Sequence, residues 1–130
     1  MSRKILWAAV AALLCFSLIP VSASAEDEFV FGLLMVGPYN DKGWSQAHYE
    51  AGHYVERNVP GTKMIYIDKV NPADRQGVTI PQLVDDMVSK GAELIIANSD
   101  DMKDGIREAS LQHPDVYFLH ISGDRSEEHT

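Results

Sequence analysis

The sequence is short of cysteine and of positive charge, and each shortage narrows the range of possible functions. Of its 130 residues, one is cysteine (Cys15), and 11 are Lys or Arg against 19 Asp or Glu, which gives a net charge of −8. With no second cysteine, a disulfide framework and a cysteine-based metal site are excluded. The acidic balance argues against binding to nucleic acid or to anionic lipid headgroups, because both need clustered positive charge.

Catalytic signatures are also missing. The sequence contains no G-x-S-x-G nucleophile elbow, no Walker phosphate loop and no G-x-G-x-x-G dinucleotide loop. Its histidines show no H-E-x-x-H or comparable spacing, so each is expected to be a surface or strand residue rather than a metal ligand. We therefore predict a protein that is not an enzyme and that needs neither a metal nor another cofactor.

Residues 1–25 have the pattern of a secretory signal peptide. Arg3 and Lys4 precede an uncharged apolar run over residues 5–19, and the small residues at 23–25 suit signal peptidase. An uncleaved anchor is the alternative, but the run is shorter than the roughly 20 residues that a membrane span needs. Cleavage would remove two positive charges and bring the net charge to −10. We predict export to the periplasm or to the outer face of the plasma membrane.

The rest of the chain is expected to divide into a folded part and a short tail. Cys15 follows Leu14, which is too bulky for a lipid attachment site, so we interpret Cys15 as part of the signal peptide. Residues 26–124 are predicted to form the folded domain. Residues 125–130 (RSEEHT) are polar and resemble the translated start of a common sequencing adapter. We predict a non-native tail there, with a genuine disordered tail as the alternative.

The folded part alternates apolar runs with helical patterns. Four runs predict buried strands, and the segments between them carry apolar residues at helical spacing; the strands are expected over 29–37, 64–67, 94–97 and 116–121, and the helices over 44–55, 80–88 and 102–109. The order βαβαβαβ predicts an α/β fold with a parallel sheet, Rossmann-like or flavodoxin-like. No helical pattern follows the fourth strand, so we predict an incomplete lobe in which part of the sheet is uncovered.

The second helix has the clearest pattern. Thr79 with Gln82 three residues later predicts a capping box at its start, and Gly91 suits the position just after its end.

The loops that follow the strands carry the candidate ligand-binding residues. In open parallel sheets, ligands bind beyond the carboxyl ends of the strands, at the point where the strand order reverses. The loops after strands one, three and four are polar and lie at helix starts or turns. Their candidate residues are Tyr39, Asn40, Asp41, Trp44, Ser99, Asp100, Ser122 and Gly123.

Each candidate also has a purely structural interpretation. Trp44 either stacks on a flat ligand, which is worth about 1–3 kcal/mol for a nucleobase, or continues the apolar stripe of the first helix into the core. Asn40 and Asp41 either bind ligand or cap the first helix, and capping is favoured because such residues prefer that position. Ser99 and Asp100 face the same choice at the third helix.

Three sequence blocks resemble blocks of one protein family and occur in the same order along the chain. They are Val36 to Gly52 (VGPYNDKGWSQAHYEAG), Lys90 to Ala97 (KGAELIIA) and His113 to Gly123 (HPDVYFLHISG). The chain resembles the basic membrane protein (BMP) family, substrate-binding proteins of ABC transporters that include the purine nucleoside receptor lipoproteins. The resemblance covers about Phe29 to Asp124, and the N-D-K-G-W block is the most specific of the three.

The resemblance implies a fold, a function and a partner. The family fold is the two-lobed type I periplasmic binding protein, of which this chain would carry a partial N-terminal lobe. Family members deliver solutes, purine nucleosides among them, to the membrane permease of an ABC importer, and the aromatic residue at the position of Trp44 stacks on the base. The alternatives are a type I binder for a sugar or an amino-acid-like solute and, more remotely, a secreted α/β enzyme whose catalytic part is missing.

Overall fold

The computed structural model describes residues 28–122, which form a parallel sheet flanked by helices. The elements are β1 (Phe29–Leu34), α1 (Trp44–Asn58), β2 (Thr62–Ile67), α2 (Ile80–Ser89), β3 (Ala92–Ala97), a 3₁₀ turn (Asp100–Met102), α3 (Lys103–Gln112) and β4 (Tyr117–His120). The strand order is β2-β1-β3-β4, with every pair parallel. This order confirms the predicted Rossmann-like class and is the flavodoxin-like arrangement. The predicted signal peptide, the predicted tail and Gly123 lie outside the described residues.

The first strand is shorter than its apolar run. It was expected to reach Gly37 but ends at Leu34. Beyond that point, the Met35 N–H still donates to the oxygen of Ile67, the last residue of β2, at 2.9 Å. The next N–H, that of Val36, instead donates to a side chain, Asn98 Oδ1, at 2.9 Å. The strand therefore ends because a side-chain oxygen replaces the backbone acceptor of the neighbouring strand.

One face of the sheet carries the larger part of the core. Leu34 of β1 and Ile95 of β3 are completely buried there, together with Met87 of α2 and Met102 beside α3. Gly32 allows this packing, because a Cβ atom at that position would lie 2.9 Å from Ile95 Cδ1 and 2.6 Å from Met87 Sδ. The α2–α3 pair thus packs directly on the two central strands.

The second helix begins and ends as its sequence predicts. Thr79 Oγ1 accepts from the Gln82 N–H at 3.4 Å, and Gln82 Oε1 accepts from the Thr79 N–H at 3.0 Å. Gly91 follows the helix with φ of 92°, a backbone conformation that favours glycine. Within residues 28–122, no helix is long and apolar enough to cross a membrane.

The other face of the sheet is covered by α1 on the β1–β2 side only. Under the helix lie Phe31 and Met64, and Gly52 of α1 approaches Met64 so closely that a Cβ atom there would overlap its sulfur. On the β4 side, Tyr117 is 73% exposed and Leu119 is 48% exposed. The apolar face of β4 is thus open within residues 28–122, where part of the sheet was expected to be uncovered.

Candidate functional site

The strand order brings the ends of β1 and β3 together. From β1 the chain crosses to β2 on one side and later returns to β3 on the other, so the order reverses between these two strands. Three residues in the loops at this edge have left-handed backbone, which is uncommon for residues with a side chain. They are Lys42 (φ 57°), Lys69 (φ 54°) and Ser122 (φ 70°), in the loops after β1, β2 and β4. Such strain often accompanies functional sites.

Trp44 lies at this edge with half of its surface in solvent. It is the first residue of α1 and is 50% exposed. Its Nε1–H donates to the carbonyl oxygen of Asn98, just after β3, at 2.6 Å. The His48 ring contacts the indole with 4.6 Å between centroids, and its Nδ1–H donates to the Trp44 carbonyl at 2.7 Å. This exposure argues against a core role and leaves much of the ring free to contact a ligand.

Asn98 is the buried residue at the centre of the edge. It is completely buried, and its Oδ1 accepts from the Val36 N–H at 2.9 Å. Its own N–H donates to the Leu34 oxygen at 3.1 Å, and its carbonyl accepts from Trp44. Asn98 therefore joins the carboxyl ends of β1 and β3 to the start of α1.

Asp41 organises the loop before α1. Its carboxylate accepts from the N–H groups of Gly43 (2.8 Å), Ser45 (3.0 Å) and Gln46 (3.0 Å). The hydrogen bond from Gln46, with those from Ser45 and Gly43, outweighs the opposing effect of burial and holds the pKa of Asp41 below its usual value. Asp41 therefore caps the helix, as the sequence favoured, and its oxygen atoms are occupied by backbone donors.

We expect Asp41→Asn to destabilise the folded chain at pH 7 but hardly at pH 2. A carboxylate whose pKa is lowered by folding stabilises the folded state above its usual value of 3.8, and this contribution is lost as the pH falls through the lowered pKa. Urea unfolding followed by circular dichroism at pH 7, 5, 3 and 2 measures the difference from wild type. Asp115→Asn, at an exposed position, removes the same charge and serves as the control. A difference between Asp41→Asn and wild type that does not shrink toward pH 2 would contradict this role.

Tyr39 lies on the opposite side of the first loop from Trp44. Its ring packs against Tyr49 (5.1 Å between centroids) and Tyr66 (6.0 Å), and its N–H donates to Asp68 Oδ2 at 3.2 Å. Burial, with a smaller contribution from Tyr49, raises the pKa of the Tyr66 hydroxyl. Tyr39 is therefore directed to β2, whereas Trp44 is directed to β3.

The loops after β3 and β4 are tied to each other. His120, the last residue of β4, has its Nε2 2.8 Å from the Ser99 carbonyl, which requires a proton on that nitrogen. Ser99 Oγ accepts from the Asp101 N–H at 3.4 Å and so caps the turn that follows. Ser122 lies two residues beyond His120 and is exposed. The structure thus brings Trp44, Ser99 and Ser122 to one edge of the sheet.

The other two candidates within residues 28–122, Asn40 and Asp100, are exposed. Asn40 lies in the turn just before Asp41. Asp100 is 3.9 Å from Lys103 Nζ, an exposed ion pair of little energetic weight. Among residues 28–122, no group of three His, Cys, Asp or Glu side chains is placed to hold a metal ion.

Comparison with known protein families shows the family to which this chain belongs. Residues 29–129 match the family model Bmp, described as ABC transporter substrate-binding protein PnrA-like. The chain belongs to the Bmp family. This confirms the resemblance noted in the sequence and makes it a relative of substrate-binding proteins rather than of enzymes.

A solved structure supports the fold of this Bmp-family chain. The solute-binding protein of an ABC transporter system from Conexibacter woesei DSM 14684 superposes with a TM-score of 0.58 at 16% sequence identity. The match covers 69% of this chain and 28% of that protein, so the chain spans less than a third of the length of this neighbour. No curated protein sequence matches the chain.

Sequence reasoning missed the most central residue of the site in this Bmp-family chain. Asn98 was not among the candidate residues, and its contacts are with residues more than 50 positions away. His120 was interpreted as an ordinary strand residue. The available signal for both was position, since each is a polar residue at the carboxyl end of an apolar run.

Proposed function

We propose that this chain is part of the extracytoplasmic solute-binding component of an ABC-type importer. It would be exported through its predicted signal peptide, would bind a small solute and would deliver that solute to a membrane permease. Membership of the Bmp family supports the transport role. The predicted boundaries fit it as well, with a signal peptide over 1–25, part of an N-terminal lobe over 26–124 and a non-native tail over 125–130.

The ligand that the site favours is a purine nucleoside or a related base. The single observation that carries this proposal is the half-exposed Trp44 ring, held at the point where the strand order reverses. A flat aromatic face attracts a flat heterocycle by stacking. The resemblance noted in the sequence gives the same role to an aromatic residue at this position.

The chain would supply one wall of the site. It spans 28% of the length of its structural neighbour, and a two-lobed binder closes both lobes around the ligand. With one wall present, much of the ligand surface stays in water, so binding is expected to be weak, with a dissociation constant of about 1 mM or higher. A method that detects weak binding is therefore required.

The indole N–H of Trp44 is a direct reporter of this interaction. Trp7 is the second tryptophan of the sequence and lies in the predicted signal peptide, so a chain that starts at residue 26 has one indole signal in ¹⁵N-correlated NMR spectra. Adenosine, guanosine and adenine would be titrated in parallel with ribose, glucose and glutamine. The proposal expects a saturating shift of the indole signal with the purine compounds and none with the others.

Each other outcome has a definite meaning. A saturating shift with glucose or glutamine, and none with purines, would reject the nucleoside ligand in favour of the sugar or amino-acid alternative. No shift with any of the six would reject the proposed site. Release of free base from adenosine during the titration, seen in the ligand signals, would reject a pure binding role and favour the enzyme alternative.

A further inference from the structure

We propose that Asn98 is a positioning residue, which holds the Trp44 ring in the orientation that a planar ligand needs; the inference rests on the proposed function. Asn98 was not among the candidate ligand-binding residues. It follows β3 directly and is completely buried, although its side chain is polar. It would act through Trp44 rather than by touching the ligand.

The hydrogen bonds of Asn98 form a chain that ends at the indole. Its N–H donates to Leu34 O at 3.1 Å, and its Oδ1 accepts from the Val36 N–H at 2.9 Å. These two bonds hold the residue against the exit of β1, one through the backbone and one through the side chain. Its carbonyl, held in place in this way, accepts from Trp44 Nε1 at 2.6 Å. The place of the ring thus depends on the side-chain amide as well as on the carbonyl.

An amide is not the residue that packing alone would favour here. Asn98 Nδ2 is buried and has no hydrogen-bond partner within residues 28–122. Burying an unpartnered donor is unfavourable, and leucine, of similar size, would avoid this cost. What leucine cannot supply is the oxygen that accepts from Val36. We infer that the oxygen is the useful part of the side chain and that its use is to fix the loop that carries Trp44.

The test measures hydrogen exchange of the Trp44 indole N–H by NMR in the chain from residue 26, without ligand. Asn98→Leu and Asn98→Ala remove the acceptor oxygen, and we expect indole exchange to become about threefold to tenfold faster, as for the loss of one hydrogen bond. Asn98→Asp keeps an acceptor oxygen at the cost of burying a carboxyl group, so the folded variant is expected to exchange more slowly than Asn98→Leu and Asn98→Ala. If Asn98→Leu fails to fold, Asn98→Ala makes the same comparison with a smaller side chain.

A matched control separates positioning from general loss of stability. Ile106→Ala removes a buried side chain of α3, outside this hydrogen-bond chain, and is expected to lower stability without changing indole exchange. Wild-type exchange in folded Asn98→Leu and Asn98→Ala would overturn the proposal, and so would equal acceleration in Ile106→Ala. Because no ligand is present, this result judges Asn98 even if the ligand titrations reject the proposed function.

Discussion

Replacing Trp44 with alanine is expected to weaken purine binding by about 5- to 150-fold, which corresponds to about 1–3 kcal/mol for one stacked base. The ring is half exposed at the carboxyl ends of the strands, and its Nε1–H donates to the Asn98 carbonyl. The exposed face of the ring is therefore the part that can stack on a ligand. Ligand-observed NMR with adenosine measures the change, because it needs no tryptophan signal. Weak wild-type binding would fall below detection in this variant.

Two companion variants sharpen this test. Trp44→Phe keeps an aromatic face but loses the donor to Asn98, so it is expected to bind more tightly than Trp44→Ala and more weakly than wild type. Tyr54→Ala removes another exposed aromatic residue from the same helix, 62% exposed, and is expected to bind as wild type does. If Trp44→Ala binds adenosine as well as Tyr54→Ala does, the stacking role is wrong.

Replacing Ile95 with alanine is expected to lower the free energy of unfolding by about 2–5 kcal/mol, the range for truncating a buried aliphatic side chain. Ile95 is completely buried in β3 and fills the space above Gly32 of β1. Natural domains are stabilised by about 5–15 kcal/mol, so the loss would be a large share of the total. Urea unfolding followed by circular dichroism measures it.

The contact between Gly32 and Ile95 can be tested with a double mutant. In wild type, Gly32→Ala would bring a Cβ atom 2.6 Å from Met87 Sδ and 2.9 Å from Ile95 Cδ1, so this substitution is expected to destabilise the chain. In the Ile95→Ala background the second contact is gone and the first remains, so the same substitution is expected to be less harmful than in wild type but still destabilising. Leu111→Ala, at a residue that is 80% exposed, is the control, with an expected change within about 0.5 kcal/mol. A similar loss for Ile95→Ala and Leu111→Ala would contradict the packing described for β3.

The order and class of the elements could be predicted from local pattern. The spacing of apolar residues over 80–88 needs no tertiary information, and Thr79 and Gln82 mark the helix start through a contact three residues apart. The end of β1 could not be predicted in the same way. Residues up to Gly37 are apolar or small, but the strand stops where Asn98, 62 residues from Val36, supplies a competing acceptor.

The candidate site shows the same division between local and distant contacts. Capping by Asp41 spans two to five residues and was favoured from the sequence, whereas the hydrogen bond from Trp44 to Asn98 spans 54 residues.

Glu56 of α1 is a further residue whose contact could not be predicted from local spacing. Its Oε1 accepts from the N–H of Met64, in the next strand, at 2.7 Å. That bond, with a smaller contribution from His53, holds the pKa of Glu56 below its usual value. No spacing rule points to a helix carboxylate that satisfies an edge-strand N–H.

The central place of β1 has a consequence for the time course of folding. A chain that is made from its amino end presents β1 first, yet β1 pairs on one side with β2, beginning at Thr62, and on the other with β3, beginning at Ala92. β1 can therefore pair with β2 only when residues up to 67 are available, and with β3 only when residues up to 97 are available, after two helical crossovers have closed long loops. Until then at least one edge of this apolar strand is exposed to other chains, which is the stage at which binding by a chaperone protects a protein of this topology most.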